Sequence, residues 1–299
     1  MSYRVEANET PEAGVKRIAL EQLHKARKHL QERADMDEAI HDARKRFKKI
    51  RAVARLVRDE VGNDIYHASN TTFRNAGRRF APARDSQVLI ETLDQLRSHY
   101  SSVLAPDAFA AIRRQLHNRH AATLASITSE GIVDQVLQAL DPAEESIKGW
   151  PIAASDFAAF DAGLHRVYKR GRKAMQAANA APTAENLHEW RKRVKYLWYH
   201  LRILRPAWPD VLDDLADAQH DLANLLGDDH DLAVLYDALS GDETLRSDDA
   251  ALHALLGLAT ERRKGLQSQA WPLGQRLYAE SPDDFTERIA AYWDAWTDA

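Results

Sequence analysis

The stretch AIHDARKRFKKIRAVARLVR, residues 39–58, decides the fold class because its apolar side chains recur every three or four residues. One face of the predicted helix collects the apolar side chains, which are Ala43, Phe47, Ile50, Ala54, Val57 and, just beyond, Val61. That spacing is typical of an amphipathic helix with a buried face. A neighbouring stripe with the same spacing carries His41, Arg44, Lys48, Arg51, Arg55 and Arg58. The stretch holds eight Lys or Arg and one acid, so this helix presents a ladder of cations.

The pattern occurs twice in the chain. LHEWRKRVKYL at 187–197 resembles IHDARKRFKKI at 40–50, with an offset of 147 residues. EAGVKRI at 12–18 resembles DAGLHRV at 161–167, and RDSQVL at 84–89 resembles HDLAVL at 230–235. Three matches in the same order at nearly constant offset indicate two copies of one helical unit. The linker candidate is 141–155, which divides the chain into units 1–148 and 149–299.

The second copy carries its own ladder beside its own apolar stripe. We expect its helix to bury Leu187, Trp190, Val194, Leu197, Leu201 and Leu204. Beside them run His188, Arg191, Lys195 and Arg202, with Trp198 in the gap. The helices that precede the two ladders add further basic side chains, among them Arg17, Arg166, Lys169 and Lys173.

The rest of the sequence also favours helix, so the predicted class is all-α. Ala, Leu, Arg, Glu and Gln dominate, and no stretch shows sustained alternation. Proline and glycine mark the ends of helices predicted at about 12–33, 37–61, 64–80, 84–100, 106–128, 130–139, 156–179, 184–204, 209–226, 229–240, 248–268 and 282–296. SPDDF at 281–285 is a strong start signal. Residues 1–14 are interpreted as a short loose leader without a signal core.

Composition excludes several classes. Cysteine is absent, which rules out disulfides and thiolate chemistry and suits a reducing cytoplasm. No run of 18 apolar residues indicates a membrane span, and we expect no membrane partner. No phosphate-binding glycine loop, GxSxG motif or nucleophile beside a base is present, so the sequence predicts neither an enzyme nor a bound cofactor.

Charge is divided unevenly along the chain. The net charge is −4, but residues 206–299 hold 20 acids and 6 bases, giving −14. The first 205 residues hold 25 acids and 35 bases, giving +10. The asymmetry points to an anionic partner for the basic portion. We also expect the acidic C-terminal portion to face away from that partner.

The alternative for a charged stripe is an ordinary solvated face. Such a face usually mixes signs, with Glu four residues before Lys or Arg, whereas only Asp42 and Glu189 interrupt these two ladders. Like charges three or four residues apart repel by a few tenths of a kcal/mol per pair. A duplicated, self-repelling surface therefore favours polyanion binding.

Two metal-dependent alternatives also have sequence support. Glu38-x-x-His41 and Glu185-x-x-His188 match the Glu-x-x-His pair of di-iron bundles, but each His is followed by Arg and Lys on its own face. The His220-Asp221 and His230-Asp231 doublets resemble those of all-α metal phosphohydrolases. The acids Glu38 and Glu185 are equally explained as first-turn residues behind Asp35 and Thr183 caps, so no metal site is predicted.

Taken together, AIHDARKRFKKIR, ARDSQVL, LHEWRKRVKYLWY and LLGDDHDLAVL resemble the CHAD family, the histidine-containing α-helical domain. The resemblance extends from about Glu12 to Trp296. It implies two tandem four-helix bundles related by a pseudo-twofold axis, with a basic cavity or surface between them. It also implies non-catalytic binding of inorganic polyphosphate and association with polyphosphate granules. An adaptor that binds RNA or DNA through the same surface remains the alternative, with a metal-dependent phosphohydrolase behind it.

By position, the resemblance assigns phosphate contacts to both copies. Those in the first copy are Arg17, His41, Arg44, Lys48, Lys49, Arg51 and Arg84. Those in the second are Arg166, His188, Arg191, Lys192 and Lys195. The ladders add Arg55 and Arg202, and the preceding helix of the second copy adds Lys169 and Lys173. The chain departs from the family pattern at Trp198, where a base is common, and at His230, which stands opposite Arg84.

Overall fold

A computed structural model describes residues 3–33, 35–241 and 249–298, with the side chain of Asp249 excepted. Over these residues the chain forms twelve α-helices and no strand. They are α1 (Pro11–Glu32), α2 (Met36–Leu56), α3 (Arg58–Arg79), α4 (Ala81–His99), α5 (Ala110–Ser129), α6 (Ile132–Ala139), α7 (Ala143–Lys148), α8 (Ala158–Ala180), α9 (Ala184–Leu204), α10 (Pro209–Ser240), α11 (Asp249–Leu277) and α12 (Pro282–Thr297). The all-α prediction is confirmed, while the pseudo-twofold relation and the boundary near 148 stay predictions.

Side-chain caps define several helix starts. Asp35 accepts a hydrogen bond from the backbone N–H of Glu38, and Thr183 accepts one from Asn186. Ser281 does the same for Asp284, with Pro282 at the first helical position. Each cap satisfies one of the backbone N–H groups that a helix start leaves unpaired. These contacts confirm that Asp35, Thr183 and Ser281 begin helices, as their sequence context predicted.

Several predicted helix limits are wrong. Helix α2 ends at Leu56, although the chain does leave helical geometry at Gly62, and α10 runs without a break past Gly227, where two helices were expected. Helix α11 continues through Pro272 to Leu277. A glycine costs a helix only about 1 kcal/mol relative to alanine, so tertiary packing can hold α10 together across Gly227.

Both predicted apolar stripes are buried. Phe47 is 1% exposed and Trp190 is 0% exposed, and every other member of the two stripes is 3% exposed or less. They belong to a large core that includes residues of α1, α2, α3, α8, α9, the first part of α10 and α12. A second, smaller core lies where the end of α10 and helix α11 pack against α4 and α5.

The two ladder helices, α2 and α9, pack directly against each other. Buried His200 on α9 donates from Nε2 to the carbonyl oxygen of Ala52 on α2 at 3.0 Å. Helix α8 approaches the end of α2 so closely that a Cβ on Gly163 would lie 1.8 Å from the carbonyl oxygen of Leu56. Only glycine permits that approach, which brings the ladders of both sequence halves into one region.

The first described residues are not loose, so the prediction of a leader is wrong for them. Tyr3 is 8% exposed and Val5 is 2% exposed. The Tyr3 hydroxyl donates to the carbonyl oxygen of Lys49, and the Val5 N–H donates to that of Ile203, both at 3.0 Å. This segment therefore spans from α2 to α9.

Candidate functional site

Four helices, α2, α4, α9 and α10, contribute charged side chains to one region. Helix α2 packs on α4 and α9, and α10 packs on both α4 and α9. The region contains five basic side chains that we call the central cation cluster: Arg44, Lys48, Arg84, Arg191 and Lys195. Members of both predicted ladders are thus brought together.

Lys48 lies at the centre of this cluster. Desolvation lowers its pKa to about 8, and the positive charges of Arg44, Arg191, Lys195 and Arg84 lower it further in that order. Its side chain is nevertheless exposed to solvent. Neighbouring atoms therefore crowd this side chain without closing it off from water. Among the residues that the structure describes, no carboxylate pairs with its ammonium group.

Lys195 is in a similar situation on the facing helix. Desolvation comes first and the charges of Arg191 and Arg202 follow in lowering its pKa to about 8, with Asp231 opposing them. Its ammonium also lies 4.5 Å from the centre of the Trp198 ring. In these two lysines, which lie on different helices, desolvation and then the neighbouring cations lower the pKa to about 8, so both remain mostly protonated at pH 7.

The arginines of the central cation cluster differ in how far contacts within the protein satisfy their hydrogen-bond donors. Arg44 donates to the carbonyl oxygen of Gly77 at 2.6 Å and lies 3.9 Å from Asp85. Arg84 is paired through both Nη atoms with Glu91 at 2.8 Å. Arg191 has a buried Nε that finds no hydrogen-bond partner in the part of the chain that the structure describes. The cluster therefore retains donors that its own carboxylates do not satisfy.

Gly227 makes room for Arg191. A Cβ at this position of α10 would lie 3.3 Å from the Arg191 Nε and 3.4 Å from an Nη. Those separations are tighter than ordinary van der Waals contact. The glycine that seemed to divide a helix instead leaves space beside a guanidinium group.

Two carboxylates enter the same region and correct one expectation. Burial raises the pKa of Asp85 and of Asp231, while Arg44, Arg191, Lys48 and other cations oppose the shift. Asp231 belongs to α10, in the acidic portion of the sequence. That portion does not lie wholly away from the cations, since α10 supplies one wall of the site.

Three histidines surround the cluster as neutral groups. Desolvation lowers the pKa of His41, and Arg84 and Lys45 add to the effect. The rings of His188 and His230 are 4.0 Å apart, and desolvation followed by nearby positive charges lowers both pKa values to about 4. A neutral imidazole can still donate one hydrogen bond to an anion. Buried Nδ1 of His188 has no partner.

On another side of α2 and α9, cations stack on aromatic rings. The Arg202 guanidinium lies 5.0 Å from the Trp198 ring centre and 5.7 Å from that of Tyr3. Buried Lys49 lies 4.9 Å from the Tyr3 ring centre, and desolvation followed by Arg46 and Arg202 lowers its pKa to about 7. Trp198 also stacks on His220. These aromatic faces are thus engaged within the protein.

Toward the C-terminal end of α2, the basic side chains of the ladder lie near α3 and α8. Arg51 donates to Asn70 at 2.9 Å. Arg55 is 8% exposed, lies 3.7 Å from the Tyr196 ring centre and donates to the Tyr66 hydroxyl. Near them lie Arg58, Arg166, Arg170 and Arg193, whose charges act on one another.

Four further predicted site residues do not belong to the central cation cluster. Arg17 is held by Glu9 and Glu21, which raise its pKa. Lys192 is exposed and paired with Glu189. Lys169 and Lys173 are exposed on α8 and form no ion pair within the part of the chain that the structure describes. Arg17 is thus paired with two carboxylates, whereas Lys192 shares Glu189 with Arg193.

Several residues of the site had no role in the sequence-based prediction. Tyr3, Tyr66 and Tyr196 support cations, and Asp231 and Glu91 moderate the central cluster. Tyr196 could have been found, because it stands one position after Lys195 in the second ladder. Tyr3 could not, because its contacts depend on the path of the N-terminal segment.

Within residues 3–33, 35–241 and 249–298, no group of three or more His, Asp or Glu side chains is arranged to hold a metal ion. The search over the same residues also finds no helix that is both long and apolar enough to cross a bilayer.

Comparison with known families gives one match. The family model described as the CHAD domain matches residues 17–240. The chain belongs to the CHAD family. The matched range contains both ladders, the whole central cation cluster and every predicted site residue, so the candidate site lies within the CHAD domain. A search of curated proteins finds no match to the chain.

Proposed function

We propose that this CHAD domain binds inorganic polyphosphate without catalysis, through the central cation cluster. The observation that carries the proposal is the convergence of five basic side chains from α2, α4 and α9, four of which act electrostatically on Lys48. Membership of the CHAD family supports the ligand class. Association with polyphosphate granules is the cellular consequence that we infer.

Electrostatics supplies the affinity. Polyphosphate repeats one negative charge per unit and offers no bases to read, so a binding site needs cations rather than stacking surfaces. Arginine presents a planar fork to phosphate oxygens, and lysine presents a compact charge. Bound phosphate would relieve the repulsion around Lys48 and Lys195 and would satisfy the free Nε of Arg191.

The histidines would contribute as neutral donors. With pKa values near 4, His188 and His230 remain unprotonated at pH 6 in the free protein. A rise in affinity toward pH 6 would therefore require the ligand to raise these pKa values by two units.

The test is titration with long-chain polyphosphate at two salt concentrations. The variant Lys48→Gln/Lys195→Gln removes both lysines of the cluster. Its matched control, Arg114→Gln/Lys264→Gln, removes the same charge from exposed positions on α5 and α11. We expect the cluster variant to bind more weakly, with a log–log salt slope flatter by about 1.4, since each phosphate contact contributes roughly 0.7. Equal weakening by the control would contradict the proposal.

Competition separates the alternatives. Long-chain polyphosphate should displace RNA from the protein, whereas RNA at equal phosphate concentration should not displace polyphosphate. The reverse order would favour the nucleic-acid adaptor. Release of orthophosphate in the presence of Mg²⁺ or Mn²⁺ would instead show a phosphohydrolase, and we expect none.

A further inference from the structure

A second group of cations lies beyond the central cluster and has a different composition. It consists only of arginines, and we call it the arginine cluster: Arg55 of α2, Arg58 of α3, Arg166 and Arg170 of α8, and Arg193 of α9. Desolvation lowers the pKa of Arg170, and the charges of Arg193, Arg166, Arg58 and Arg55 lower it further. Helices from both halves of the sequence therefore converge here as well.

The protein neutralises this cluster only in part. Asp59 pairs with Arg166, and Glu189 pairs with Arg193. Among the residues that the structure describes, Arg55, Arg58 and Arg170 have no carboxylate partner. Arg58 makes its two hydrogen bonds to the neutral amide of Asn63. Three positive charges are thus left without a counter-charge.

Unsatisfied donors point to a ligand at the same place. Nη1 of Arg55 and Nη1 of Arg166 are both buried, and neither has a hydrogen-bond partner among the described residues. The Arg55 side chain is held rigidly by stacking on Tyr196 and by its bond to Tyr66. A buried N–H without a partner is costly, and an oxygen-rich anion would remove that cost. Fixed guanidinium forks suit tetrahedral phosphate groups in particular.

The position of the arginine cluster relative to the central cation cluster indicates which ligand it would bind. Arg55 follows Lys48 by two helical turns on the same stripe of α2, about 10 Å along the axis. Arg51 lies between them and is also a cation. We propose that the arginine cluster is a second phosphate subsite, occupied by the same polyphosphate chain when that chain is long enough to extend from the central cluster. The inference rests on the proposed function and adds to it a preference for long chains.

Binding of polyphosphates of two different lengths can distinguish this subsite from the central cation cluster. The variant Arg58→Gln/Arg170→Gln removes two arginines that lack carboxylate partners, so no acid is left unpaired. We expect its affinity for long-chain polyphosphate to fall about tenfold, with a salt slope flatter by about 1.4. Affinity for tripolyphosphate, which is too short to reach both clusters, should equal that of the control Arg114→Gln/Lys264→Gln.

The outcomes distinguish the two proposals. If long-chain binding by this variant matches the control while Lys48→Gln/Lys195→Gln still weakens it, the second subsite is wrong and the proposed function stands. Equal loss for tripolyphosphate would also overturn the inference, because the arginines would then belong to one undivided site. A loss seen only with a single-stranded DNA oligomer would assign the cluster to nucleic acid and overturn it. Failure of the unmodified protein to bind polyphosphate of any length would refute the proposed function itself.

Discussion

The lysines of the central cluster should make polyphosphate binding depend on pH above neutrality. In the free protein, Lys48 and Lys195 have pKa values of about 8. A bound phosphate chain favours the charged form and should return both pKa values toward the ordinary value near 10.4. Between these limits the complex holds more protons than the free protein, so affinity must fall as pH rises from about 8 to about 10. Below pH 7 both lysines are charged and affinity should level off.

The magnitude follows from proton linkage. Each lysine can change the binding constant by at most about tenfold per pH unit within this window. Because Lys48 is exposed, solvent and salt screen part of the effect, and we expect roughly three- to tenfold per unit for the two lysines together. The internal phosphates of a long chain do not titrate in this range, so the ligand itself contributes little.

The assay is isothermal titration calorimetry with long-chain polyphosphate at pH 7, 8, 9 and 9.5 and at constant ionic strength. The decisive comparison is Lys48→Arg/Lys195→Arg, since arginine keeps its charge throughout. This variant should bind about as well as the unmodified protein at pH 7 and should lose most of the decline at pH 9. The reasoning is refuted if the arginine variant declines as steeply as the original, because the titrating groups would then lie elsewhere.

Three further predictions concern stability. Phe47→Ala should lower the free energy of unfolding by about 3–5 kcal/mol in denaturant titration, since Phe47 is 1% exposed and its removal leaves a cavity; a loss below 1 kcal/mol would contradict its place in the core. Gly163→Ala should prevent native packing of α8 on α2, because the new Cβ would meet the Leu56 carbonyl oxygen; circular dichroism should show a much lower melting temperature, and an unchanged one would refute the close approach. Stability should fall as pH drops from about 6.5 toward 4, because His200 and His188, with pKa values of about 3 and 4, stay neutral in the folded state while the unfolded chain takes up protons near 6.5. His188→Gln should reduce that fall, as measured by urea midpoints at pH 4.5 and 6.5.

The helices and their buried faces were predictable because they depend on local spacing. The stripe through Phe47 and the one through Trp190 need only the 3.6-residue period of a helix. Caps such as Ser281 are also local signals. The role of Gly227 within a continuous α10 was not predictable, because the group that lies beside it, the Arg191 guanidinium, belongs to another helix. Rules based on local sequence predict a helix break at this glycine, whereas tertiary packing keeps the helix continuous through it.

The candidate site divides in the same way. The ladder residues Arg44, Lys48, Arg191 and Lys195 could be identified from charge and period alone. That these four side chains lie close together could not be predicted, because the sequence does not state how α2 and α9 cross. Nor could the approach of Asp231, whose acidic surroundings in the sequence suggested a surface remote from the cations.

Different side chains would supply the two free energies: the apolar stripes that of folding, and the cation ladders that of ligand binding. Fully burying a large apolar side chain contributes about 1.5–3 kcal/mol, and Phe47 and Trp190 each anchor a ladder helix in this way. Repulsion between like charges one turn apart opposes this by only a few tenths of a kcal/mol per pair. The apolar stripes can therefore hold the cations at close range without any ligand. Because the cations are held in advance, a phosphate chain that binds as proposed would not need to order them, and more of the electrostatic attraction would be available as affinity.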